Sequence, residues 1–100
     1  MRRIMEIADH PSVRVCWNSN PGETINGSLK QNFELLKDFL GATVHIHDLY
    51  DPAYPYRELF ALLKAIQYNG YCLSESPATS DPLRVMHYYR ALWHELIRNN

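Results

Sequence analysis

The chain repeats one design three times: a short apolar run ends in a polar cluster, and a helical pattern then leads to the next run. Residues 13–17 (VRVCW) run into Asn18-Ser19-Asn20, residues 42–46 (ATVHI) into His45-Ile46-His47-Asp48, and residues 71–73 (YCL) into Ser74-Glu75-Ser76. The clusters recur roughly every 30 residues, the length of a strand and helix unit in an α/β protein. That order calls for parallel strands joined by right-handed crossovers. Folds of this kind gather polar chemistry at the C-terminal ends of their strands.

Local signals divide the chain in the same way. Ile4, Met5, Ile7 and Ala8 form the end of a helix that stops at Asp9-His10-Pro11. Val13, Val15 and Trp17 share one strand face; Arg14, Cys16 and Asn18 share the other. Residues 18–27, rich in Asn, Ser, Pro and Gly, read as a loop. Ser28 and Gln31 have capping-box spacing, Leu29, Phe33, Leu36 and Leu40 make an apolar stripe, and Gly41 stands where a left-handed helix cap is wanted. Val44 and Ile46 then face covering helices, opposite Thr43, His45 and His47. Pro55 opens a helix carrying Leu59, Phe60, Leu63 and Ile66, which Asn69-Gly70 breaks. In the third strand, Leu73 and Glu75 are expected on the side of His45, with Cys72 and Ser74 on the other. Asp81 and Pro82 start a last helix with Leu83, Met86, Tyr89, Trp93 and Leu96 on one face.

Apolar residues make up 46% of the 100-residue chain, so one packed domain spanning 1–100 is expected. Ten basic residues against eleven acidic ones leave no electrostatic footprint for nucleic acid or an anionic membrane. No apolar run approaches the roughly 18 residues of a membrane span, and the N-terminus lacks a signal-peptide core, which points to a soluble cytoplasmic protein. Cys16 and Cys72 lack C-x-x-C spacing and read as reduced, buried thiols. Three parallel strands would leave both sheet edges open, implying further elements or self-association.

Glu75, at the end of an apolar run, is costly unless it is paired, protonated or bound to metal, which singles it out as a site residue. The plainer role is to accept backbone hydrogen bonds in the next loop. Asn18 and Asn20 can each donate to and accept from substrate hydroxyls, or simply shape a turn. Asp48 could orient a histidine or end its strand.

The segments VRVCWNSN (13–20), VHIHDL (44–49), YPYRELF (54–60) and GYCLSE (70–75) together resemble the C-terminal portion of sugar phosphate isomerases and epimerases, the xylose-isomerase-like TIM barrels. The resemblance implies α/β architecture, with the chain supplying the last three strand-helix units of a (β/α)8 barrel and the barrel incomplete. It implies a divalent cation (Mn, Zn, Co or Mg) held by His45 and Glu75, with Asn18 where the family carries an aspartate and Pro21 where a histidine often follows. Glu75 is then also the catalytic carboxylate, and Asn20 and His47 face a carbohydrate substrate. Asn offers an oxygen without charge and weakens the hold on a cation. The expected activity is that of part of a cation-dependent sugar or sugar-phosphate isomerase or epimerase, inactive alone, whose partners are the rest of the barrel or a second copy. The alternative is a non-catalytic binding or assembly module with a decayed metal site. A DNA-repair nuclease of the same superfamily is disfavoured by the near-neutral charge.

Overall fold

The computed structural model describes residues 1–25 and 27–98. Helix α1 (Arg2–Ala8) precedes strand β1 (Val15–Trp17), and a one-turn helix α2 (Gly22–Ile25) leads into α3 (Leu29–Leu36). Strand β2 (Leu40–Ile46), helix α4 (Tyr56–Ala65), strand β3 (Tyr71–Ser74) and helix α5 (Pro82–Ile97) follow. The strands form one open sheet in the order β1-β2-β3, and both pairings are parallel.

Register fixes the two faces. Trp17 lies beside Val44 and Val44 beside Cys72, whereas His45 lies beside Leu73. On one face Trp17, Val44 and Ile46 join Phe33 of α3 and Leu59, Phe60 and Leu63 of α4 in the core, with Cys72 and the Tyr89, Trp93 and Leu96 side of α5 packed against it. The sheet's other face bears Cys16, Thr43, His45 and Leu73 and is exposed or half-exposed. In β1 and β2 the alternation sorts apolar from polar side chains as expected; the third strand has the expected orientation, but its Tyr71 and Leu73 lie exposed on the open face.

The helix starts follow their caps. Ser28 accepts from the Gln31 backbone while the Gln31 side chain accepts from the Ser28 N–H, and the Asp81 carboxylate accepts from the Arg84 N–H. The end of α3 differs from expectation. The helix stops at Leu36, a 3-10 turn covers Lys37–Phe39, and Leu40 and Gly41 belong to β2. Gly41 is therefore no helix cap. It sits where the β1–β2 register slips between Val15 and Trp17, and a Cβ there would come within 3.1 Å of the Arg14 Cβ. Tyr68 donates its hydroxyl proton to the Gly41 carbonyl at 2.8 Å.

Two further departures bear on the site. The loop after β1 contains α2, because Glu23 reaches back to accept from the Asn20 N–H, the reciprocal half of a capping box. Both cysteines are free, as expected, but Cys16 is exposed on the open face; Cys72 is half-buried, and burial pushes its thiol pKa up. Among the described residues no helix is long and apolar enough to cross a membrane.

Candidate functional site at the strand ends

The three polar clusters converge at the C-terminal ends of the strands. Pairing continues past β3, where the Glu75 N–H donates to the Ile46 carbonyl at 2.7 Å, and this carries Glu75 to the level of His47. The His45 Nδ1 stands 3.2 Å from the Glu75 Oε2. With a proton on Nδ1 this is a hydrogen bond that leaves Nε2 unprotonated in the neutral ring. The same span suits two donors on adjacent positions around one cation, each at about 2.0–2.2 Å.

His47 is gripped on four sides. Its ring Nδ1 lies 3.1 Å from the Glu75 carbonyl oxygen and its Nε2 2.8 Å from that of Asn18. Both partners only accept, so the ring makes both bonds when both nitrogens carry protons. Its main-chain N–H donates to the Tyr56 hydroxyl at 2.9 Å, and its carbonyl accepts from the Tyr89 hydroxyl at 2.7 Å. Groups that would be orphaned where β2 ends are thereby satisfied by two tyrosines. His47 consequently ties the ends of β1 and β3 together across β2.

A second network lies behind β1. The Trp17 indole N–H donates to the Tyr54 hydroxyl at 2.9 Å, and Tyr54 donates to the Glu23 carboxylate at 2.6 Å. Burial pushes the Glu23 pKa above the ordinary carboxylate value, against the lowering effects of Tyr54, the Asn20 N–H and nearby His47. Tyr54 is pushed strongly upward by burial and by its bond to Glu23, and Tyr56 is raised by burial, with Asp51 and Asp48 adding to the shift. Ser19 donates its hydroxyl proton to the His45 carbonyl at 2.7 Å. Sequence pattern does not bring Glu23, Tyr54 and Ser19 together at the strand ends; the fold does. The Asn20-x-x-Glu23 spacing was the available signal, since it marks a helix start inside the presumed loop.

The residues named from sequence thus fall into two groups. His45 and Glu75 touch directly, and His47 joins Glu75 to Asn18 through main-chain carbonyls. The Asn18 side-chain oxygen accepts from the Cys16 thiol at 3.5 Å, which keeps the amide on the open face. Asn20 and Asn18 line a cavity of about 320 Å³ beside β1, together with Glu23 and Asn32. Among the described residues no three His, Cys, Asp or Glu side chains are grouped to hold one metal ion. His45 and Glu75 are two groups of donor type in contact, and among the described residues no third stands with them.

Comparison with protein-family models, curated proteins and solved structures finds no match for this chain. The chemical possibilities are accordingly those of its own side chains: a carboxylate aligned by an imidazole, amides that donate and accept, and a cluster of tyrosine hydroxyls.

Proposed function

We propose that the chain is a three-unit segment of a (β/α)8 barrel of the sugar isomerase/epimerase type, supplying two of the donors for a divalent cation and one of two proton-transferring carboxylates. The observation that carries this reading is the His45–Glu75 contact at 3.2 Å on the C-terminal ends of adjacent parallel strands. A bound divalent ion would supply polarisation of a hydroxy-carbonyl pair. Glu75 moves a proton on the neighbouring carbon, and His45 fixes the direction of its carboxylate. On this reading Asn20 and His47 face the substrate. The second carboxylate and the remaining ligands come from elements beyond these three strands, so the chain alone is inactive.

The test is an assay of aldose–ketose exchange, with and without EDTA, on the chain alone and on the chain co-expressed with complementary strands of a barrel. Turnover is expected only in the completed, metal-replete assembly, and Glu75→Gln should abolish it. Turnover by the isolated chain, or indifference of the assembly to Glu75→Gln, overturns the proposal.

The exposed third strand favours a second reading, a binding or assembly module. Tyr71 is 73% exposed and an apolar cavity of about 540 Å³ opens beside β3, lined by Phe60, Tyr68 and Trp93 among others. This reading predicts a defined oligomer by light scattering, and a cooperatively unfolding monomer argues against it.

A further inference from the structure

Ser19 combines three properties that seldom coincide by accident. It is the one buried polar residue among those described, 3% exposed. Its φ of 58° is left-handed, a conformation that a residue with a side chain adopts at a cost. Its hydroxyl donates to the main-chain carbonyl of His45 across the strand pair.

The ladder explains why. Trp17 lies beside Val44, so in a regular parallel pair the next bond to the His45 carbonyl would come from the main-chain N–H of residue 19. The chain has instead turned left-handed at Ser19, and the hydroxyl provides the bond that the N–H would have made. Two consequences follow at the strand ends. The His45 carbonyl keeps a partner although β1 has ended, and the turn leaves the Asn18 carbonyl facing the His47 Nε2 at 2.8 Å. In a regular strand the Asn18 carbonyl, trans to the Ser19 N–H in the same peptide unit, would point away from β2 and out of reach of His47.

We propose that Ser19 is a positioning residue for the strand-end site: its turned backbone sets the Asn18 carbonyl against His47, and its hydroxyl holds β1 to β2 beside the His45–Glu75 pair. This deepens the proposed function and rests on it for the meaning of the site.

The experiment compares the ring-nitrogen NMR signals of the histidines in the wild-type chain, Ser19→Ala, Ser19→Gly and Glu75→Gln, followed by titration with Co(II) alone. Ser19→Ala should shift the His45 and His47 ring signals while those of His10, His87 and His94 stay in place, and the His45 shift should resemble that of Glu75→Gln. Co(II) affinity should fall about tenfold, as for loss of a residue that orients a ligand. Ser19→Gly accepts the left-handed backbone freely and provides a folded reference should Ser19→Ala fail to fold; it should shift His45 through loss of the hydroxyl and leave His47 nearer to wild type. Folded variants whose His45 and His47 signals match wild type, with only the unfolding temperature lowered, overturn the proposal. Absence of Co(II) uptake by the wild-type chain alone is compatible with its two donors, so the ring signals decide the role of Ser19, and the cation reading stands or falls on Co(II) uptake by the completed assembly.

Discussion

The two halves of the molecule are built to different standards of burial. Around β1, β2, α3 and α4, Phe33, Val44, Ile46 and Leu59 are all but inaccessible to water. In α5, the longest helix, no residue is fully buried, and Leu83 is 71% exposed. Both halves carry comparable apolar sequence, so the difference lies in what each packs against. Strand β2 has a neighbour on each side and helices α3 and α4 over it, whereas β3 is an edge with α5 only half seated. Hydrophobic side chains stabilise in proportion to the area removed from water, which puts most of the fold's stability in the first half.

The largest expected effect tests that division directly. Phe33, 1% exposed and edge-on to Trp17, should cost about 3–5 kcal/mol on truncation to Ala. Trp93 is the larger ring and meets Phe60 at 4.8 Å, yet it is only partly buried. Trp93→Ala should therefore cost less than Phe33→Ala in denaturant unfolding, and equal losses would erase the distinction between the halves.

Gly70 probes the joint between them. A Cβ at this position would press on the Tyr68 hydroxyl and on the main-chain Ala42 carbonyl, and the carbonyl cannot swing away as a side chain can. Gly70→Ala should destabilise by about 1–3 kcal/mol, the usual cost of overpacking. Because β3 begins at the next residue, hydrogen exchange in Tyr71–Ser74 should rise more than in β1. Uniform acceleration across the sheet would show that β3 is as firmly joined as the rest.

Tyr54→Phe addresses the network on the buried side. It removes the acceptor of the Trp17 indole and the donor to Glu23 in one step. Leaving such groups unpaired costs about 1–3 kcal/mol, so a loss in that range is expected from thermal unfolding. A neutral outcome would mean that water replaces the hydroxyl, and that this half is less sealed than its burial suggests.

How far the sequence discloses all this depends on the range of the interaction. Alternation of Val15, Cys16 and Trp17 and of Val44, His45 and Ile46 assigns both sheet faces, because side-chain direction in a strand is local. The Ser28 and Asp81 caps are likewise local and are legible. The early end of α3 is not, since Gly41 is required by the approach of Arg14, the residue just before β1. The same holds at the site. Glu75 is legible from strand-end chemistry and His45 from its place on the same strand face, but Ser19, Glu23 and Tyr54 matter through partners 26 and 31 residues away in the chain.

The smallest effect concerns Glu23, whose pKa burial raises above the ordinary 4.5. An acid with a raised pKa in the folded state binds its proton more readily there than in the unfolded chain, so its contribution to stability falls as pH rises through that interval. The cost is absent below the unfolded value and complete above the folded one. Glu23→Gln removes the titration while keeping an oxygen for Tyr54. The advantage of wild type over the variant, read from unfolding midpoints, should therefore be greater at about pH 4 than at about pH 7. A difference that is flat, or that grows with pH, would mean that Tyr54, the Asn20 N–H and His47 outweigh burial. The loop after β1 would then belong with the open half of the molecule rather than the sealed one.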